Sequence, residues 1–426
     1  MKIPPVKGTR DFYPPQMAVR NWIIDGWKKV SVRNGFEEYD GPIFEYLKMF
    51  QIKSGDEIVE QLFSLRDRGG RDLALRPEIT PTLARMVNQR INALPKPIKW
   101  FSVPRLFRAE RPQKGRLREF FQWNVDIIGE DSPLADAEVI FTTVDYLRKI
   151  GLTSKDIKAK ISSRELLADY LISLGIPEGK LEPIYVILDK KGKLPPDTFE
   201  KILAEQIQDK SIVKNILDFM SVDSIPQLKD FVEEGSSAYL NIKCVLDNLD
   251  MMGVGDFCIY DPSIVRGLAY YTGIVFEVHD VAGELRAICG GGRYDNLLRD
   301  FGGPPVSATG MGMGDAVLGI LLEEKELLQK QLPRRILDFF LACVDEDYKD
   351  ATVKLTMKLR SVGFAANFSY KITKLGKQLK QASEQNAGKC IIIGDEFKDN
   401  KLTVKDMTSG QQELIDYDKF LSDIKS

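Results

Sequence analysis

The sequence of 426 residues predicts an α+β protein with more than one domain. Three observations predict it. Between Trp100 and Gly129 two apolar runs flank a basic loop, the pattern of an antiparallel hairpin. From about residue 160 to residue 240, charge-rich segments such as SSRELLADYLISLG and PDTFEKILAEQIQ carry helical spacing. After the polar stretch QKQLPRR, strands and helices alternate in βαβ order, which argues for a small sheet covered by helices. One core rarely grows past roughly 250–300 residues, so a chain of this length divides.

Taken in order, PVKGTRDFY is a turn-rich lead-in. From Pro15 to Asn34 the apolar residues Val19, Trp22, Ile23, Trp27 and Val30 recur at helical spacing, and Gly35 stops the helix. FEEYDGPIFE reads as a strand with Pro42 embedded, which places it at an edge or a bulge. LFSLRD and RDLALRP flank Gly69-Gly70 as a hairpin. LRPEITPTLAR is a strand end entering a helix, with Thr80 as the cap and Pro81 in the first turn; Glu78 and Thr80 need no further role than capping, and Arg85 reads as a surface or fold residue.

The hairpin loop carries Arg105, Arg108, Arg111, Lys114, Arg116 and Arg118, with Gly115 to turn it and Pro112 to stiffen it. A basic loop alone is ordinary solvated surface. Here Glu110 follows Arg108 by two residues, and Phe120, Phe121 and Trp123 come after. Guanidinium groups grip phosphate bidentately, a carboxylate accepts from an exocyclic amine, and a ring holds a base by stacking. Those are the parts of a nucleoside triphosphate site.

Further on, LADAEVIFTTVDYLRKIG is a helix. FCIYDPSIVRGLAYYTGIVFEV contains two strand-like runs around Arg266-Gly267-Leu268, an arginine that must be solvated, paired or holding a ligand. The three glycines of GGGRYD allow close approach of backbone to a ligand. ATGMGMGDAVLGILLEE reads as strand, glycine turn and helix. In the C-terminal part ILDFFLACV, FAANFSY and KCIIIGD are strands, and DYKDATVKLTMKLRSVG and TKLGKQLKQASEQNAG are helices. Lys371, Lys374, Lys377 and Lys380 recur along one helical segment, which is either solvated surface or a face for RNA phosphates.

Composition narrows the chemistry. The net charge of −2 is unlike that of a dedicated nucleic-acid module, so any RNA contact must use local patches. No apolar run is long enough to span a bilayer, and MKIPPVKGTRDFYPP lacks the apolar core of a signal peptide, so a cytoplasmic protein is expected. Five cysteines have neither zinc-knuckle spacing nor an even count, and no protein metal site is expected. His279 is the one histidine, at the end of GIVFEVHD, and reads as a structural or surface residue. It leaves no histidine relay. Catalysis by electrostatic positioning with Arg, Glu and Asp is what remains.

FRAE followed by RPQKGRLREFFQ resembles motif 2 of class II aminoacyl-tRNA synthetases. RPQKGR together with RGLAYYTG and GGGRYD is similar to the histidyl-tRNA synthetases, in the right order over nearly the whole chain. The resemblance implies a class II core, an antiparallel sheet flanked by helices, in segments 1–155 and 246–329. It implies a helical insertion at 156–245 that leans on the tRNA acceptor arm, although a helical domain with solvated faces fits equally, and an α/β anticodon-binding domain at 334–426. The first helix and the proline-containing strand would be motif 1, the interface of a homodimer.

By the same resemblance Arg108 grips the α-phosphate and the amino-acid carboxylate, Glu110 the adenine edge and Arg116 the γ-phosphate, while Phe120 stacks on adenine. Glu78 and Thr80 hold the α-amino group. Gln122, Asp126, Tyr270, Tyr271 and Tyr294 face histidine. Arg266 sits on the α-phosphate beside the amino acid, and Gln113 touches the end of the acceptor stem. The implied activity is ligation of histidine to tRNA(His) with ATP and Mg2+. Two departures stand out. Val317 replaces an arginine that normally follows the last motif 3 glycine by three residues, and Ala269 replaces an aspartate. Either other residues hold the triphosphate or ATP use is weakened. The alternative reading is a silent paralogue acting as regulatory subunit of ATP phosphoribosyltransferase, which the two departures favour slightly. The retained Arg108, Arg116 and Arg266 and the C-terminal domain oppose it.

Overall fold

A computed structural model describes residues 3–52, 62–266, 270–332 and 337–424. Ala269, Pro333 and the start of the stretch from residue 56 lie outside the described residues. The chain divides into two compact units, 1–330 and 331–426. Among the described residues no helix is long and apolar enough to cross a membrane.

The first unit holds strands β1 (Glu37–Glu38), β2 (Phe44–Tyr46), β3 (Ser64–Arg66), β4 (Asp72–Leu75), β5 (Ile98–Ser102) and β6 (Arg105–Phe107). It continues with β7 (Glu119–Ile128), β8 (Ile157–Ser163), β9 (Cys258–Tyr260), β10 (Ile274–Asp280), β11 (Cys289–Arg293) and β12 (Ala308–Gly314). Nine of them form one sheet in the order β1-β5-β7-β12-β11-β10-β8-β9, with β6 paired to β7. It is antiparallel except at its two edges, β1 with β5 and β8 with β9. A second sheet has the order β2-β4-β3.

The helix Pro14–Arg33 begins with two prolines, whose fixed φ suits a first turn, and ends before Gly35 at φ +79. It buries Ile23, Trp27 and Val30. Trp27 stacks on Trp123 of β7 with ring centroids 6.2 Å apart, and Tyr146 of the helix Pro133–Lys149 meets the Trp123 ring edge-on at 5.5 Å. The indole N–H of Trp123 donates to the Ser31 hydroxyl at 2.8 Å, so a buried polar group is satisfied. This aromatic contact docks helices on one face of the sheet.

Period-two alternation then decides the other face. On β7, Phe121, Trp123, Val125 and Ile127 enter the helix-side core, which leaves Phe120, Gln122 and Asp126 opposite. On β12, Met311 and Met313 enter that core while Gly310, Gly312 and Gly314 face the other way. The glycines expected in a turn are thus strand residues, and the strand runs straight into the helix Asp315–Glu324.

Other expectations change in the same way. FEEYDGPIFE is two strands, one in each sheet, with a bend at 39–43. Arg76, 2% exposed, fixes the bend by donating to the Asp40 carboxylate at 2.7 Å and the Gly41 carbonyl at 2.8 Å. The hairpin around Gly69-Gly70 forms, as β3 and β4. Thr80 is not a cap: it is the first residue of the helix Thr80–Arg90, whose N-cap position is Ile79, with no side-chain cap bond. Arg85 is a fold residue, paired with Glu45 at 2.6 Å. Ile157–Ser163, within the stretch expected to be helical, is β8 of the large sheet because Ile157, Ala159 and Ile161 alternate into the core. Helices follow from Arg164 to Met251 and share that core, as where Tyr170 stacks on Phe219 at 4.6 Å.

The second unit is a five-stranded sheet with β13 (Leu337–Cys343), β14 (Ala366–Phe368), β15 (Ala387–Ile393), β16 (Lys401–Asp406) and β17 (Gln412–Asp416), ordered β14-β13-β15-β16-β17. The first three are parallel, as the βαβ pattern predicts; the β16–β17 hairpin and the helix Tyr417–Asp423 are additional. The helix Leu375–Glu384 begins after Lys374, so Lys371 and Lys374 precede it and the four lysines share no helical face.

The large sheet closes most tightly at Gly291, where a Cβ would lie 2.2 Å from the Gly310 carbonyl. Gly291→Ala therefore costs about 1–3 kcal/mol of stability, whereas Gly314→Ala, with open space around its Cβ position, leaves stability unchanged. Thermal unfolding of the two variants beside the parent checks this, and equal midpoints would refute it.

Candidate active site

The basic hairpin is β6–β7, and its tip is a two-residue turn, Lys114-Gly115, closed by reciprocal backbone bonds between Gln113 and Arg116. Gly115 is at φ +73, which suits a residue without Cβ. The tip is docked on the helix Asp315–Glu324: a Cβ at Gly115 would lie 2.9 Å from Val317, and Lys114 pairs with Glu324 at 3.1 Å. Of the six basic residues in the loop, Arg105 pairs with Glu119 at 2.8 Å, and Arg118 donates to the Glu110 carbonyl at 2.9 Å. Only Arg108 and Arg116 reach the cleft behind the hairpin.

That cleft has a volume of about 900 Å³. Arg108, Glu110, Arg116, Phe120, Gln122 and Arg266 all line it. The Arg108 guanidinium lies 5.2 Å from the centroid of Phe120 and donates to the Pro77 carbonyl at 3.1 Å. Glu110 is buried and ion-paired with Arg116, so the two residues expected at opposite ends of a nucleotide hold each other here.

Arg266 has φ +55, a left-handed conformation that costs a residue with Cβ about 1 kcal/mol or more and clusters at functional sites. It donates to Glu277 at 3.1 Å, and its guanidinium stands 5.5 Å from the Tyr271 ring. A Cβ at Gly290 would strike it at 1.6 Å, so glycine on β11 is what admits this side chain. Glu277 also bonds His279, at 2.9 Å. Burial alone would raise the Glu277 pKa, but the hydrogen bond to His279 and the charge of Arg266 hold its carboxyl down, at about 2. Burial works against the charge of Arg266 as well, yet Tyr271 and Glu277 leave its pKa above the ordinary arginine value.

Beside the cleft is a closed nest of buried side chains. Tyr270 donates to Glu78 at 3.4 Å, its ring is 5.0 Å from Tyr271 and 5.9 Å from Tyr294, and Tyr294 donates to Asp126 at 2.5 Å. Gly310 leaves room for Asp126, since a Cβ there would lie 2.1 Å from its carboxylate. Burial pushes the Asp126 carboxyl up to about 7, only partly opposed by Tyr294. Its second oxygen, Oδ2, is buried without a hydrogen-bond partner among the described residues, so it waits for a donor. The arginine of GGGRY is structural: Arg293 binds Asp136 at 2.7 and 2.9 Å and the carbonyls of Glu130 and Ser132, which fixes the adjoining Tyr294.

The nest brings together Glu78, Asp126, Tyr270, Tyr271 and Tyr294. Thr80 is half-buried at the helix start and Gln113 is exposed at the hairpin tip; neither lines the cleft. Sequence reasoning missed Glu277, Arg286 and the lysines Lys160, Lys191 and Lys193, which the structure adds to the cleft wall, and it took His279 as structural or surface. Alternation in GIVFEVHD already places Glu277 and His279 on one face, and an acid amid an apolar strand was the available signal. The lysines had none, because they come from β8 and the turn after the helix Leu181–Leu188.

The family model for histidyl-tRNA synthetase matches residues 8–314, and that for the anticodon binding domain matches residues 338–426. A curated relative, histidine–tRNA ligase, chloroplastic/mitochondrial, of Arabidopsis thaliana is 40% identical over 96% of this chain and 84% of its own. The histidine–tRNA ligase of Opitutus terrae is 40% identical over 94% of this chain and 93% of its own. The crystal structure of histidyl-tRNA synthetase from Nostoc shares the fold, with a TM-score of 0.84 over 100% of this chain and 99% of that one at 24% identity. A sheet that sets a guanidinium-lined cleft beside a nest of tyrosines and acids, and a match along nearly all of its length, make this chain a member of the histidyl-tRNA synthetase family.

Proposed function

We propose that the chain is a histidine–tRNA ligase. It joins histidine to ATP as histidyl-adenylate, releasing pyrophosphate, and passes the histidyl group to the 3′ end of tRNA(His), releasing AMP. The carrying observation is that Arg266 belongs to both compartments: it lines the cleft and stands over Tyr271 of the nest. A group bound in the nest and a phosphate bound in the cleft meet at one guanidinium.

In this reading Asp126 accepts an imidazole N–H at Oδ2, with Tyr294 orienting the carboxylate. Glu78, held by Tyr270, takes the α-ammonium, with Thr80 beside it. Tyr271 and Gln122 complete the histidine pocket. Adenine stacks on Phe120 with its amine toward Glu110, and Arg116 exchanges Glu110 for the γ-phosphate. The histidine carboxylate attacks the α-phosphorus, and Arg108 and Arg266 stabilise the charge that gathers on the non-bridging oxygens. Positioning of the two reactants supplies much of the acceleration. Mg2+ would enter as part of the substrate, carried on the triphosphate oxygens.

For the tRNA, Gln113 at the exposed tip is placed at the acceptor end, the helices between 164 and 251 along the acceptor arm, and the second unit on the anticodon. Segments 1–155, 156–245 and 246–329 act as core, insertion and core, with β8 counted to the core. A homodimer is supported by Ile43, Phe44, Tyr46 and Leu65, large apolar side chains left exposed along the β2-β4-β3 sheet. The composition, 43% hydrophobic and 29% charged, is that of an ordinary globular protein, and a cytoplasmic location is part of this reading. The regulatory-subunit alternative is less supported, because the curated relatives are named as ligases and the anticodon-binding domain is present.

Pyrophosphate exchange into ATP should require histidine and no other amino acid. Arg266→Ala should slow that exchange about 100- to 1,000-fold with the far-UV circular dichroism unchanged; exchange near the parent rate would remove Arg266 from the mechanism. Asp126 gives a pH test. Its folded pKa, about 7, is raised above the ordinary 3.8. Its neutral form therefore favours folding below about pH 4, and that contribution is lost as pH rises through 7. Relative to Asp126→Asn, the parent should lose stability between pH 4 and 7, and its histidine affinity should rise over the upper part of that range as the carboxylate forms. Calorimetric titrations at pH 5.5 and 7.5 with parallel slopes for the two proteins would contradict this.

A further inference from the structure

We propose that Arg286 grips the terminal phosphates of ATP, in the role left open by Val317; the proposal rests on the ligase reading above. Nothing on the helix Asp315–Glu324 can do so. Its sequence DAVLGILLEE has no cation, and Val317 is buried under the hairpin tip, its methyl against Gly115. The next basic residue, Lys325, is paired with Asp156 at 2.7 Å.

The other cations of the cleft wall already have internal partners. Arg116 pairs with Glu110, and Arg266 with Glu277. Lys160 pairs with Asp261 at 3.0 Å and Lys193 with Asp189 at 2.6 Å, while Lys191 donates to the Met220 carbonyl. Much of the positive charge is thereby balanced before a triphosphate arrives. Arg286 differs. It lines the same cleft, it is exposed, and it makes no ion pair or hydrogen bond among the described residues. A phosphate can take its planar fork bidentately with no internal bond to give up.

Its loop, 281–288, is held in place although the side chain is not. The buried Asp280 accepts from the backbone N–H groups of Glu284 at 3.0 Å and Leu285 at 3.1 Å. Gly283 turns the chain at φ +70, Leu285 packs on the helix-side core, and Ile288 N–H donates to the Val278 carbonyl at 2.8 Å. The loop leads directly into β11, where Gly290 lies against the Arg266 guanidinium. The cation is thus four residues from the strand position that marks the α-phosphate end of the cleft, on a fixed base.

The test uses the full chain. Arg286→Ala should raise KM for ATP in histidine-dependent pyrophosphate exchange about 10- to 100-fold, the range of one lost charged hydrogen-bonding group, with KM for histidine unchanged. Calorimetry should show the parent binding ATP more tightly than AMP and the variant losing most of that preference. An unchanged KM for ATP, or equal weakening of ATP and AMP, overturns the role. Absence of exchange by the parent would instead count against the ligase reading, and the comparison of ATP with AMP would still decide on Arg286.

Discussion

The ligand side of the large sheet depends on one steric constraint: β11 and β12 carry glycine wherever they face the site. Gly310 makes room for Asp126, Gly312 for Gln122 and Gly290 for Arg266. At Gly291 the two strands approach so closely that a single methyl would meet backbone. The side chains beside this bare floor come from β7 and from segments outside the two strands, such as Arg266 before β10. The same two strands put methionine and cysteine into the helix-side core, so stability and vacancy are assigned to opposite faces of one ladder.

On that floor the charges are arranged as pairs. Arg116 with Glu110 and Arg266 with Glu277 keep cations close together without leaving them mutually repelling in a partly buried cleft. In the proposed reading a phosphate oxygen replaces the carboxylate at Arg116, while the Arg266–Glu277 pair persists. Glu277 is held ionised by His279 and Arg266 against the effect of burial, so it keeps Arg266 oriented. This gives the one histidine of the chain a positioning role through Glu277, which is a different use from a proton relay.

Much of this was legible in the sequence, for local reasons. The helix at Pro14–Arg33 and the β6–β7 hairpin follow from apolar spacing and turn residues, whereas the site residues of β7 were legible only through the family motif. What was not legible depends on partners distant in the chain. The break in FEEYDGPIFE is set by Arg76, more than thirty residues away. The strand IKAKISS was absorbed into the helical stretch beside it because its neighbours are β10 and β9, over ninety residues on. The four-lysine pattern misled because a spacing of three is counted the same way before a helix as inside it. Thr80 is a residue type that caps helices, but the helix starts one residue earlier than that role requires, with Ile79 at the cap position.

The pairing of the cleft cations also bears on rate. A site of unpaired arginines would bind ATP tightly in the ground state, which lowers KM without speeding the chemical step. In the proposed reading the triphosphate replaces the Arg116–Glu110 contact, so part of the phosphate interaction is offset by the internal pair. Arg266 is different in kind. Its left-handed backbone and its three neighbours, Glu277, Tyr271 and the Gly290 backbone, hold the guanidinium in one place whether or not a ligand is present. A donor fixed in advance costs little reorganisation when charge develops on the α-phosphate. In the proposed reading the exchangeable pair at the hairpin and the rigid arginine beside the nest therefore divide the work: the first would moderate affinity for the nucleotide, and the second would favour the transition state over the bound substrate.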